Sequence, residues 1–260
     1  MKSKEVIEHI VNWLKEYSDT SKTNGFVIGI SGGIDSAVTS TLCSLTGKRV
    51  IVLNMPIKQF KNEFDRSNEH INWLKNKFTN VESATVELTN VLEALEVSFP
   101  KNIQDPLTMG NTRARLRMVT LYSFATHNKL LVAGTGNKVE DFGVGFFTKY
   151  GDGGVDISPL ADLYKTEVCE IGSQLQIVSS IQNACPTDGL FADGRTDEDQ
   201  IGASYPELEW AMEYLAKNKV YALSEREQKV MEIYKWRNTV NQHKINPIPV
   251  CVIPNHLKII

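Results

Sequence analysis

Phe26-Val27-Ile28-Gly29-Ile30-Ser31-Gly32-Gly33-Ile34-Asp35-Ser36 is the most informative stretch of this 260-residue chain. A short apolar run passes into small residues, then into an amphipathic segment carrying Ala37, Val38, Leu42 and Leu45. That order predicts a buried strand, a tight turn and a helix. Gly32 and Gly33 let backbone N–H groups approach an anion. The first amides of the helix are unsatisfied and electropositive, and Ser31 and Ser36 add hydroxyl donors. Asp35 is the odd member, because a carboxylate repels a phosphate unless a cation lies between them. Mg²⁺ takes one or two carboxylates together with phosphate oxygens, so Asp35 reads as a metal ligand. The plainer alternative is a strand-to-helix turn with Ser31 or Asp35 as its N-cap.

Two other phosphate loops are absent. Gly47-Lys48 is followed by Arg49 and lacks the upstream glycine of a P-loop, and Gly134-Thr135-Gly136 runs on as Asn137-Lys138-Val139. Outward from the loop, apolar runs recur at Phe26–Ile30, Val50–Leu53, Ala84–Leu88 and Leu130–Ala133, with helical patterns between them. Strands alternating with helices predict βαβ units and a parallel sheet covered on both faces. No linker or repeat marks a second unit, so one domain over residues 1–260 is expected. A charged C-terminal helix is expected over roughly Ser224 to His243, and loops over residues 148–156 and 185–200.

The chain is 42% hydrophobic and 23% charged with a net charge of −3. That balance argues against a general nucleic-acid or membrane-surface binder. Cys43, Cys169, Cys185 and Cys251 are widely spaced, which predicts reduced thiols and neither a zinc site nor a disulfide framework. The N-terminus is charged and no apolar run reaches transmembrane length, so a cytoplasmic address is expected.

Three further segments carry chemistry. The fourth strand ends in Gly134-Thr135-Gly136-Asn137-Lys138-Val139-Glu140-Asp141, and two glycine-bearing strand ends can face one crevice in a doubly wound sheet. Thr135 could then reach a nucleotide. Glu140 either shares a magnesium with Asp35 or only complements a helix dipole. Gly145 to Asp156 holds too much glycine for a strand; Lys149 offers a point charge, Asp156 an acceptor, and Lys165 opens another helix. In Gly110-Asn111-Thr112-Arg113-Ala114-Arg115-Leu116-Arg117, Arg113 and Arg117 share a helical face and Arg115 points elsewhere.

The Ser31–Ser36 loop resembles the pyrophosphate loop of the ATP pyrophosphatase superfamily. Together with Asn111–Arg115, Gly134-Thr135 through Glu140, Phe147 to Asp156, Pro186-Thr187 and His243-Lys244, it resembles the NAD synthetases over nearly the whole chain. That resemblance implies a doubly wound, mostly parallel five-stranded α/β sheet, with helices on both faces, in a homodimer. It implies amidation of nicotinic acid adenine dinucleotide (deamido-NAD) to NAD, with ATP as co-substrate and Mg²⁺ as cofactor. The implied ATP contacts are Gly29, Ile30, Ser31, Gly32, Gly33, Ile34, Asp35, Ser36, Thr135, Lys165 and Thr187, with Asp35 and Lys165 serving catalysis. Asp35 and Glu140 are the implied metal ligands. Arg115, Lys149, Asp156, His243 and Lys244 are the implied deamido-NAD contacts. Two departures stand out. The family's T-D-H-A-A-E reads Thr135-Gly136-Asn137-Lys138-Val139-Glu140, with one extra residue before Phe146, which makes Asp141 an alternative ligand. Ile245 follows His243-Lys244 where arginine is common. Only 28 residues precede Gly29, too few for the glutamine-hydrolysing domain of some relatives, so free ammonia is the expected nitrogen donor. No nucleic acid and no membrane partner is expected.

Overall fold

The computed structural model describes residues 1–59, 61–184, 196–217 and 221–258. Among them the sheet has four parallel strands in the order β3-β2-β1-β4. They are β1 (Gly25–Gly29), β2 (Arg49–Asn54), β3 (Val81–Thr85) and β4 (Leu131–Val132). The helices before and between them are α1 (Ser3–Thr20), α2 (Ile34–Leu45), α3 (Lys61–Lys77), α4 (Thr89–Ser98) and α5 (Pro106–Asn128). After β4 come a π-helix (Lys138–Val144), α6 (Lys165–Gln174), α7 (Ser179–Gln182), α8 (Asp197–Ile201), α9 (Tyr205–Ala216), α10 (Glu225–Val240) and α11 (Gln242–Ile245).

β1, β4 and the middle of β2 are apolar because both faces are covered there, whereas the edge strand β3 is polar and largely exposed. Phe26, Ile28, Val50, Val52 and Leu131 meet Leu14 of α1, Leu42 of α2 and Ile171 of α6. Val27, Ile51, Leu53 and Val132 meet Leu92 of α4 and Met109 and Ala125 of α5 on the opposite side. Successive strand residues thus enter different cores, as a period of two requires. A third cluster, joining Val139 and Val144 to Leu208, Ala211, Val230 and Met231, seats the π-helix on α9 and α10.

Four expectations need correction. The fifth strand is reduced to a single parallel bridge between Ala133 and Ile157. Pro159, two residues beyond Ile157, has no N–H to extend a ladder, and the glycines before Asp156 favour a loop. β3 starts three residues earlier than its apolar pattern suggested, because Val81 to Thr85 are the residues in register with Val50 to Asn54. The C-terminal helix divides at Asn241, whose side-chain amide donates to the Val144 carbonyl at 2.9 Å. Residues 197–201, expected as loop, form α8, capped by Thr196 accepting from the Asp199 amide.

Candidate active site

Strand order reverses between β1 and β4, and a cavity of 830 Å³ opens outside their carboxyl ends. Its floor is Gly29 to Ser36, with Gly134, Thr135 and Gly136 opposite. The loop is pinned by its own hydroxyls. Ser36 Oγ donates to the Gly33 carbonyl at 3.0 Å and accepts the Ser31 amide at 3.2 Å, while Ser31 Oγ accepts the Gly33 amide at 3.2 Å. Gly32 sits at φ +86°, and a Cβ there would come within 2.8 Å of the Glu63 carbonyl. Glycine therefore serves both the turn and the close passage of α3. Gly33 enters α2 with extended backbone, which aims the first amides of that helix at the cavity.

Three charged side chains meet over this loop. Lys165 Nζ lies 2.6 Å from Asp35 Oδ2 and 2.9 Å from Glu140 Oε1. α2 and α6 deliver the first two by packing closely; a Cβ on Gly172 would stand 2.6 Å from Ile34 Cδ1. A lysine as the first residue of a helix has the wrong sign for the helix dipole. The two carboxylates compensate: burial alone would lower Lys165, but they hold it above the usual lysine range. Burial raises Asp35 despite that ammonium. At Glu140 burial is outweighed by Lys165 and by the Tyr205 hydroxyl, which hold the carboxyl below its usual value. Asn137, fully buried, donates to Asp35 Oδ1 at 3.1 Å while its Oδ1 accepts the Val139 and Glu140 amides.

The geometry sets Glu140, and not Asp141, opposite Asp35. The extra residue noted in the sequence is absorbed as the π-helix, where the Gly145 amide bonds the Glu140 carbonyl five residues back. Asp141 turns instead against Gly136, where a Cβ would meet its Oδ2 at 1.8 Å. Burial and the nearby Asp152, Glu140 and Asp35 push the Asp141 carboxyl well up, which disfavours the ionised form a metal ligand needs. The donor set fits Mg²⁺. Two carboxylate oxygens converge on one cation position, and two negative charges face a single ammonium. Among the described residues no group of three or more His, Cys, Asp or Glu forms a complete cage, so phosphate and water would supply the other ligands.

The far wall carries the remaining cations. Arg115 donates to the Lys149 carbonyl at 3.3 Å, Lys149 Nζ to the His243 carbonyl, and Lys244 Nζ to the Gly145 carbonyl. All four residues line the cavity. Asp156 stands apart from it: its carboxylate accepts the Tyr122 hydroxyl at 3.0 Å and the Val132 amide at 2.8 Å, tying the loop to β4. Thr187, and with it most of the expected 185–200 loop, lies outside the described residues. The cavity also gathers residues that local sequence did not single out. Glu63 and Arg66 of α3 look like a solvated charged face; only the packing of α3 on Gly32 turns them inward, with Arg66 Nε 3.3 Å from the Gly32 carbonyl. Arg117, one of the arginines already noted in the sequence, also lines the cavity and donates to the Met55 carbonyl at 3.1 Å. Tyr205, buried beside Glu140, had no signal at all.

Fold and site together define a doubly wound, nucleotide-binding α/β enzyme whose glycine loop opens at the sheet's switch point. The chain belongs to the NAD synthase family, whose model matches residues 6–248, and it is thus a ligase of the kind that joins carbon to nitrogen. It is 39% identical over 201 residues to the NH(3)-dependent NAD(+) synthetase of Methanosarcina acetivorans, covering 75% of this chain and 76% of that one. Among solved structures, the NMN synthetase of Francisella tularensis superposes with a TM-score of 0.85 at 33% identity, covering 98% and 99% of the two chains. The NH3-dependent NAD synthetase of Campylobacter jejuni, solved with a nitrate ion, gives 0.79 at 25% identity, covering 97% and 100%.

Proposed function

We propose that this enzyme amidates deamido-NAD to NAD with free ammonia, through an acyl-adenylate, releasing AMP and pyrophosphate. The observation that carries the reading is the convergence of Asp35, Glu140 and Lys165 over the glycine loop. The nicotinate carboxylate would attack the α-phosphorus of ATP as the bond to pyrophosphate breaks. Ammonia would then attack the activated carbonyl, AMP would leave, and a proton would pass to solvent. Neither step calls on a protein nucleophile. The chain's task is positioning and charge stabilisation.

In this reading Gly29 to Ser36 and Thr135 bind ATP, the amides opening α2 hold its phosphates, and Lys165 neutralises charge on the phosphate next to the reacting bond. Arg115, Lys149, His243 and Lys244 receive the dinucleotide acid. Magnesium held by Asp35 and Glu140 would supply charge neutralisation for the departing pyrophosphate. The enzyme works as a homodimer in the cytoplasm. Exposed apolar residues support the dimer: Leu107 and Val119 on α5 are 64% and 57% exposed.

One observation favours a second acid. The Francisella structure named NMN synthetase is similar over almost the entire chain, and nicotinic acid mononucleotide presents the same reactive carboxylate. An end-point assay with MgATP and ammonium, supplying each acid in turn, tests both. NAD and AMP in equal amounts, with higher kcat/KM for the dinucleotide, is the expected result. Preference for the mononucleotide would keep the chemistry and change the substrate; no AMP from either would sink the reading.

A further inference from the structure

Tyr205 is almost fully buried, at 4% exposure, although its hydroxyl is polar. That hydroxyl stands 2.5 Å from Glu140 Oε1 and 3.2 Å from Asp197 Oδ2, and the ring lies 5.0 Å from Lys165 Nζ. A phenol carries one proton, and the shorter contact marks Glu140 as its acceptor. Tyr205 opens α9, and its amide donates to Glu198 Oε1 of α8 at 2.9 Å. The two helices therefore fix the ring from its backbone side.

Glu140 Oε1 is thus shared by two donors of different permanence. Lys165 is an ammonium on an unbranched stem, and in the proposed reaction it would pair with a phosphate. Tyr205 is a rigid group locked in the third apolar cluster. We infer that Tyr205, anchored through its amide by Glu198 of α8, is a positioning residue that holds the Glu140 carboxylate toward Asp35 when Lys165 turns to the nucleotide. A donor on Oε1 fixes the plane of the carboxylate, as outer hydrogen bonds do for metal-binding carboxylates. It also links the cation site to the helix that follows residues 185–195. This inference rests on the reading of Asp35 and Glu140 as metal ligands.

The test uses Mn²⁺ as a spectroscopic probe, with a non-hydrolysable ATP analogue, on the wild-type enzyme and Tyr205→Phe. Phenylalanine keeps the ring packing and its contact with Lys165, and removes only the hydroxyl. Paramagnetic resonance of bound Mn²⁺ is expected to show affinity about tenfold weaker in Tyr205→Phe. The apparent KM for magnesium should rise to match, with kcat largely recovered at saturating metal. A purely structural tyrosine would instead lower the melting temperature and leave Mn²⁺ affinity unchanged, and that result overturns the inference. If the wild-type complex binds no more Mn²⁺ than the free nucleotide, the metal reading itself fails and takes this inference with it.

Discussion

Lys165 is held at 6% side-chain exposure between two carboxylates. Removing one partner of a buried ion cluster leaves the others uncompensated, at a cost of about 3–5 kcal/mol. Lys165→Met is expected to lose about 3 kcal/mol in urea denaturation, and magnesium is expected to restore part of that by neutralising Asp35 and Glu140. No response to magnesium would count against the cation site. His70 makes a separate prediction. It is fully buried in α3, its Nε2 is 3.0 Å from Ser40 Oγ, and burial lowers its pKa from 6.5 to about 4. Between those values the unfolded chain binds a proton that the folded chain refuses. The stability is fully present above pH 6.5 and declines as pH falls toward 4. At pH 5 the loss is about 2 kcal/mol. Denaturation of His70→Gln at pH 7 and pH 5 should show a smaller difference than wild type by that amount.

The strand–turn–helix unit of β1 and α2 and the π-helix after β4 present the charged groups, and each depends on one small polar or glycine position. Gly32→Ala would place a Cβ 2.8 Å from a backbone carbonyl that cannot swing away, at a positive φ as well. A cost of about 1–2 kcal/mol is expected, together with weaker binding of an ATP analogue by calorimetry. Asn137→Ala removes the cap of the π-helix and the amide that steadies Asp35. About 1–2 kcal/mol of stability should go with it. Melting-curve shifts would check both variants, and an unshifted Asn137→Ala would show the cap to be idle.

For the whole molecule, the cavity walls come from both ends of the chain, Gly29 near one and Lys244 near the other. The helices that seat the π-helix, α9 and α10, are thus as necessary as the sheet. Their cluster leaves Trp236 63% exposed on the cavity rim, and α5 exposes Leu107 and Val119. Sedimentation velocity is expected to give a dimer, with Val119→Asp shifting it toward monomer. Glutamine in place of ammonium should yield no NAD from the pure protein; production of NAD from glutamine would refute ammonia as the nitrogen source.

The loop, its neighbouring strands and the α/β layering were legible in the sequence. A buried parallel strand and a glycine turn are local patterns, set by apolar runs and by backbone freedom within a few residues. So were Asp35, Glu140 and Lys165 as candidates, which the fold brings together. What pairing decided was the sheet edge: β3 took the register offered by β2, and Pro159 cut the fifth strand to one bridge. What packing decided was which charges turn inward. Glu140, and not Asp141, meets Lys165 because the π-helix turns one toward it and the other against Gly136. Glu63 and Arg66 reach the cavity only because α3 packs on Gly32, and Tyr205 meets Glu140 only because α9 packs on the π-helix. Such contacts join residues far apart in the chain, and no local propensity records them.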